Sequence, residues 1–340
     1  MNDSSGVSKS RSNKKVKRVV VMGGGTGTFT VLSGLRAYSD LDLSAIVTMA
    51  DDGGSTGRLR DEYGVLPPGD LRQSLVALSD APQIMRKLFS FRYSHGDLRG
   101  HSFGNIFLST LEHMIGDVNR ALDIAGEILK IRGSVIPVTL DKIRLIAELG
   151  NGKRLQGEQA LTNCRLVSHL GLTRIRLVPH AKANPKALAA IKLADLIIVG
   201  PGNFYSSIVP NFLVAGIAPA LRRSKAKKIF VANLMNREGQ TDGFTVATYI
   251  ATLEKLAGGT KIFDAVLYNT RRPSEALVRR YADEGEPVER GAREALSRPI
   301  IGKDILAQDL YKPTEGDILQ RTLIRHDPTK LAKVLYGMLP

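Results

Sequence analysis

Short apolar runs rich in valine and isoleucine recur along this chain, and most end directly in glycine, asparagine or aspartate. VKRVVVMGGG at residues 16–25 is the first and LSAIVTMAD at 43–51 the second. SVIPVTL (134–140), RIRLVPH (174–180), ADLIIVGPG (194–202), KKIFVANLM (227–235) and FDAVLYN (263–269) follow. These runs have strand length, and several are near-continuously apolar, as strands buried on both faces are. Between them, residues 28–38, 101–114, 117–130, 184–194, 244–257, 273–283 and 328–338 carry helical spacing. Asn184 before Pro185 and Asp327 before Pro328 read as N-caps followed by proline at the first helical position. Strands alternating with helices predict an α/β, Rossmann-like, doubly wound and mostly parallel sheet. Residues 60–132 hold few strand signals and read as a helical excursion within a single domain spanning 16–340.

Composition narrows the class of function. The net charge is +15, but part of it sits in a Ser-rich basic tail, residues 1–15, expected to be disordered. Aromatics make up 6% and tryptophan is absent, so stacking partners for nucleic acid are scarce and no specific nucleic-acid role is expected. Cys164 is the only cysteine, which excludes an intrachain disulfide. The first residues lack an apolar core of signal-peptide length. The longest apolar stretch, 204–221, is broken by Pro210, Asn211 and Pro219. A cytoplasmic protein without a membrane span is expected, and a homo-oligomer.

In an open parallel sheet, ligands bind outside the carboxyl ends of the strands, so the loops after strands are the places to look. GGGTGT (23–28) offers backbone N–H groups at a helix start, where a phosphate fits. It is neither a dinucleotide fingerprint, since Thr28 stands where a third glycine or alanine belongs, nor a Walker loop. ADDGGSTGRLR (50–60) sets Asp51 and Asp52 beside Gly53, then Ser55, Arg58 and Arg60. A carboxylate there would either accept from sugar or base donors or hold Mg²⁺ that bridges to phosphates. Both alternatives leave open why two acids stand at the edge of an anion cradle. In LPPGDLRQSL (66–75), Asp70 is expected to cap the helix that follows and Arg72 to reach the ligand. GHSFGN (100–105) sets His101 and Asn105 four residues apart, on one face of a helix. GPGNFYSS (200–207) offers Gly202 and Asn203, and ANLMNREGQT (232–241) offers Asn233 and Asn236 for reading a base or amide. No nucleophile elbow and no paired Cys/His site is present.

GGGTGT, ADDGGSTGRLR, LPPGDLR, GHSFGN and GPGNFYSS, in that order, make the chain resemble the YvcK branch of the CofD-like family, proteins labelled gluconeogenesis factors. The resemblance implies a Rossmann-like fold and a pocket for a nucleotide sugar such as UDP-N-acetylglucosamine, with NAD as a similar diphosphate. It implies a regulatory role in cell-wall homeostasis, cell shape and growth on gluconeogenic carbon, with cell-envelope regulatory proteins as partners. It also implies an alternative, because the CofD branch is a transferase that moves phospholactate to a deazaflavin in the presence of Mg²⁺. By this resemblance Gly24, Gly25, Thr26 and Gly27 line phosphate or ribose, and Asp51, Asp52, Ser55 and Arg58 complete that side. YADEG (281–285) supplies Tyr281 to stack on a ring, and RHDP (325–328) supplies Arg325 to pair with a phosphate. Two stretches depart from the family's pattern: GPGNFYSS replaces GPGSLYTS, and NLMNREGQT replaces NVMTQPGET. The second puts Asn236, Arg237, Glu238 and Gln240 in a turn that bears on ligand preference.

Overall fold

The structure is a computed structural model that describes residues 16–259, 261–291, 298–308 and 324–340. The expected disordered tail lies outside the described residues. Seven strands form one sheet: β1 (Lys17–Gly23), β2 (Leu41–Val47), β3 (Ser134–Pro137), β7 (Leu196–Val199), β8 (Lys227–Val231), β9 (Ala265–Asn269) and β10 (Ile300–Lys303). Their spatial order is β10-β9-β8-β7-β1-β2-β3, and every neighbouring pair is parallel. The order reverses between β1 and β7. Parallel strands need coverage on both faces, and β7, in which all four residues are buried, shows that coverage.

Helix α1 (Gly25–Leu35) follows β1. Between β2 and β3 the chain makes the expected helical excursion: α2 (Gly54–Tyr63), α3 (Pro68–Leu78), α4 (Gln83–Ser90), α5 (Phe103–Ile115) and α6 (Val118–Ile128). The excursion begins earlier than residue 60, because Gly54–Tyr63 is helical despite two glycines. Tertiary packing overrides the poor propensity: Gly57 lies so close to the Asp52 carbonyl that a Cβ there would overlap it.

One strand belongs elsewhere. RIRLVPH does form a strand, β6 (Leu172–Val178), but in a separate three-stranded antiparallel sheet with β4 (Arg144–Leu149) and β5 (Arg154–Gln156). Its alternating exposed and buried residues show one wet face, which the parallel sheet does not allow. Short helices α7 (Glu158–Thr162) and α8 (Val167–Leu170) flank that sheet.

After β6 come α9 (Pro185–Leu193), a π-helical turn at Phe204–Ile208, α10 (Val209–Leu213), α11 (Ile217–Arg223) and α12 (Val246–Leu256). Helices α13 (Glu275–Arg280) and α14 (Pro328–Tyr336) complete the described elements. Both proline-marked starts are real N-caps. Asn184 Oδ1 accepts from Lys186 N at 3.0 Å, and Asp327 Oδ1 accepts from Thr329 N and Lys330 N at 2.9 Å. Helix α1 packs on β1 and β2 and against α3 and α14, whereas α9 packs on β1 and β3. Among the described residues no helix is long and apolar enough to cross a membrane.

Candidate functional site

The reversal of strand order between β1 and β7 opens a crevice at the carboxyl ends of those strands. A cleft of about 570 Å³ lies there, within the range of small-molecule sites. Its floor comes from the two glycine loops. Gly24, Gly25, Thr26 and Gly27 arrive after β1, and Gly202 and Asn203 after β7. The loops touch: a Cβ on Gly27 would overlap the Pro201 carbonyl, so only glycine permits this approach. Gly24, the N-cap of α1, has no side chain to cap with, and no acid stands in the helix's own first turn, so its first N–H groups have no partner within the helix.

Asn233, after β8, ties the loops together. Its Nδ2 donates to the Gly202 carbonyl at 2.9 Å and its Oδ1 accepts from Gly202 N at 3.2 Å. The amide read from the sequence as a base reader is therefore spent largely on the β7 loop. Asn233→Ala should remove both bonds and loosen the cleft floor. A loss of about 1–3 kcal/mol of stability is expected, read by chemical denaturation.

The turn that departs from the family pattern forms one side wall. Gln240 Nε2 donates to the Leu161 and Thr162 carbonyls at 3.0 and 2.8 Å, and Arg237 Nη2 donates to Thr162 O at 3.0 Å. Arg165 and Glu238 pair at 2.9 Å. The changed residues thus dock on segment 161–165, which also lines the cleft. Asn236 is buried behind them, accepting from Tyr249 Oη at 2.8 Å and donating to the Phe244 carbonyl at 2.9 Å.

Tyr281, Arg325 and His326 line the far end with Leu234, Met235 and Ile324. Tyr281 is buried within the apolar cluster Leu234, Met235, Leu306 and Ile324, and burial pushes its hydroxyl up to about 12.

The remaining residues picked from the sequence lie behind or beside this cleft. Asp70 does not cap its own helix; Pro67 holds the N-cap position of α3, and Asp70 sits in the first turn. Its carboxyl instead lies under the β1 loop, where a Cβ on Gly24 would overlap Oδ2 and where it accepts from Gly25 N–H. Burial, then the nearby Asp51 and Glu158, push Asp70 up to about 8. Asp51 is raised too, first by burial and then by Asp52, against hydrogen bonds from Gly53 N and Thr56. Glu158 was not visible in the sequence as part of this group; burial and Asp51 raise it. The acid beneath the cradle is thus Asp70, whose carboxyl burial raises well above the ordinary range.

Asp51 and Asp52 do not converge on one point. Asp51 Oδ1 accepts from Gly53 N at 3.0 Å, whereas Asp52 Oδ1 accepts from Gln159 N at 2.8 Å and lines a second, smaller hollow with Arg60 and Arg144. Among the described residues no group of three His, Cys, Asp or Glu side chains is placed to hold a metal ion.

Ser55, Arg72, His101 and Asn105 meet in one buried network. Ser55 Oγ lies 3.1 Å from His101 Nδ1, Asn105 Nδ2 donates to Ser55 Oγ at 3.2 Å, and Arg72 Nε donates to Asn105 Oδ1 at 2.8 Å. His101 precedes α5 rather than riding on it, since Ser102 is the N-cap, so the pair meets through Ser55 rather than along a helix face. Burial, then Arg58, lowers His101 below its ordinary value. Arg58, exposed, donates to the Arg99 carbonyl at 2.8 Å. These residues join α2, α3 and α5 and do not line the cleft.

The comparisons agree with this architecture. The chain is 44% identical over 323 residues to a protein named "Putative gluconeogenesis factor" from Nostoc sp., covering 94% of this chain and 68% of that one. It is 36% identical to the "Gluconeogenesis factor" of Listeria monocytogenes, covering 95% and 96% of the two chains. A crystal structure of a UPF0052 family member from Bacillus halodurans superposes with a TM-score of 0.86 at 34% identity, over 95% of this chain and 99% of that one. With the family described as 2-phospho-L-lactate transferase CofD also matching residues 19–306, the chain belongs to the CofD family, in its YvcK-type gluconeogenesis-factor branch.

Proposed function

We propose that this chain is a cytoplasmic regulatory protein that binds a nucleotide sugar of the UDP-N-acetylglucosamine kind and links it to cell-wall and cell-shape homeostasis and to growth on gluconeogenic carbon. The observation that carries the binding part is the position of the cleft. It lies at the switch between β1 and β7, floored by two glycine loops, and has an apolar far end that suits a ring. A diphosphate would meet the α1 N-terminus above a protonated Asp70, and the ring would lie toward Tyr281 and Arg325. The regulatory part, with cell-envelope proteins as partners and a homo-oligomer as the acting form, rests on the family resemblance and on the relatives' names.

Binding is proposed to need no metal. Calorimetric titration with UDP-N-acetylglucosamine, UDP-glucose, NAD and GDP, each with and without Mg²⁺, tests the reading. The expected result is binding of a UDP-sugar, unaffected by Mg²⁺, with the ligand recovered intact. Metal-dependent binding, or breakdown of the ligand, would move the function to a transferase like the one in the family's description.

A further inference from the structure

The side that α4 turns to solvent is apolar where a surface helix is ordinarily polar. Ile84 and Leu88 lie one turn apart, and Phe91 continues their stripe as the C-cap residue; the three are 70%, 38% and 52% exposed. The core is served by another side of α4, through Phe89, which is buried against Phe103 and Phe107 of α5. The chain then doubles back in a short antiparallel arm. Arg92 bridges Ser102, Tyr93 N donates to the His101 carbonyl at 2.9 Å, and Gly100 N donates to the Tyr93 carbonyl at 2.8 Å. Tyr93 packs edge-on against Phe91, with ring centres 5.2 Å apart, and Leu98, 44% exposed, stands in the turn of the arm. Cations flank these side chains. Lys87 on α4 and Arg99 on the arm are exposed, Arg58 donates to the Arg99 carbonyl, and Arg92 donates to the Gly100 carbonyl. Beside them the acids are Asp97 on the arm and Glu62 of α2.

We propose that this face docks on an anionic phospholipid surface, with Ile84, Leu88, Phe91 and Leu98 entering the interfacial layer and Lys87, Arg58 and Arg99 meeting lipid phosphates. Charge decides the class of occupant. A second copy would bring the same excess of cations to the contact and be repelled. A protein partner needs one close-packed, complementary patch, whereas these apolar side chains stand at separate points along a helix and a turn. A fluid interface takes up each of them on its own, and binding there grows with apolar area plus attraction to anionic lipid. The stems of lysine and arginine lie along apolar surface while their charged ends stay with the phosphates. The net charge of +15 adds attraction to a negative surface. Among the described residues no helix can span a membrane, so the contact is peripheral. None of these residues lines the cleft, and the proposal rests on no part of the nucleotide reading.

The test is co-sedimentation of the full chain with vesicles of mixed phosphatidylglycerol and phosphatidylcholine, against vesicles of phosphatidylcholine alone. The wild type should bind the anionic vesicles and leave the neutral ones. A triple variant, Ile84→Ser with Leu88→Ser and Phe91→Ser, keeps every charge and should bind the anionic vesicles about tenfold more weakly or less. Its thermal unfolding should stay close to that of the wild type, because the three side chains are exposed. Fluorescence gives an independent readout. The chain has no tryptophan, so Phe91→Trp carries a single probe, whose emission should shift to the blue on anionic vesicles. Leu193→Trp, at an exposed position of α9, should show no shift. Failure of the wild type to bind anionic vesicles would overturn the proposal. So would equal binding by the triple variant, or an unshifted Phe91→Trp on bound protein, since either would show attachment by net charge alone. A triple variant that changes the oligomeric state and not vesicle binding would assign the stripe to a contact between copies and overturn it as well.

Discussion

Gly27→Ala is expected to lower affinity for UDP-N-acetylglucosamine by about tenfold to a hundredfold. The added methyl would fall on the Pro201 carbonyl, which belongs to backbone rather than to a flexible side chain. Backbone cannot rotate away, so the β1 and β7 loops must separate, and overpacking of this kind costs about 1–3 kcal/mol. The loops that separate are the floor of the cleft, and Asn233 holds one of them from the β8 side. Gly53→Ala is the matched control. A Cβ there meets only Asp51 Oδ1, at an ordinary 3.5 Å. Gly53 is the N-cap of α2 with backbone that any residue adopts, so its replacement should change stability by less than about 1 kcal/mol and leave affinity nearly unchanged. Calorimetry on both variants, with circular dichroism to follow unfolding, decides it. Equal losses in both, or wild-type affinity in Gly27→Ala, would show that the close approach of the loops does not shape the site.

Stability should fall as pH rises from about 4 to about 8, and Asp70→Asn should remove much of that slope. In the folded chain Asp70 keeps its proton up to about 8, whereas in the unfolded chain it loses it near the ordinary carboxyl value. Between those two values the folded state binds more protons, so each pH unit costs up to about 1.4 kcal/mol for one proton of difference. The contribution is fully present below the unfolded value and is lost as pH rises through the folded one. Asp51 and Glu158, also raised, add to the slope in the same direction. Asn cannot ionise, yet its Oδ1 can still accept from Gly25 N–H. Denaturation midpoints measured between about pH 5 and about pH 8 should therefore drop in the wild type and drop clearly less in Asp70→Asn, where Asp51 and Glu158 still titrate. Binding gives a second readout: a diphosphate above an ionised Asp70 is repelled, so wild-type affinity should weaken above about pH 8 and that of Asp70→Asn should not. Identical slopes in the two proteins would place the proton elsewhere.

Much of the cleft was legible in the chain. Gly24 to Gly27, Gly202, Asn203 and Asn233 stand directly after apolar runs, and in a parallel sheet those positions converge on one edge. Tyr281 and Arg325 were legible through the family resemblance alone, because no local pattern marks them. Thr162 to Arg165 and His326 gave no local signal, since a loop's neighbours across the fold leave no trace in its own spacing. The polar words ADDGGSTGRLR, LPPGDLR and GHSFGN read as ligand loops, and the fold turned Ser55, Arg72, His101 and Asn105 inward on one another. Polar residues at such spacing satisfy either a ligand or each other, and spacing cannot choose between the two.

The sequence by itself determined the layered architecture. Strand and helix periodicities and turn residues are local, and a buried parallel sheet is their physically consistent assembly. It also determined where proline and N-cap residues start α9 and α14. Tertiary structure alone decided that β6 leaves the main sheet, that Asp70 rather than Asp51 and Asp52 lies under the glycine cradle, and that burial raises this acid above the ordinary carboxyl range. The physical reason is that a carboxyl's charge depends on desolvation and on groups far along the chain. Glu158 is brought to Asp51 and Asp70 only by the completed fold.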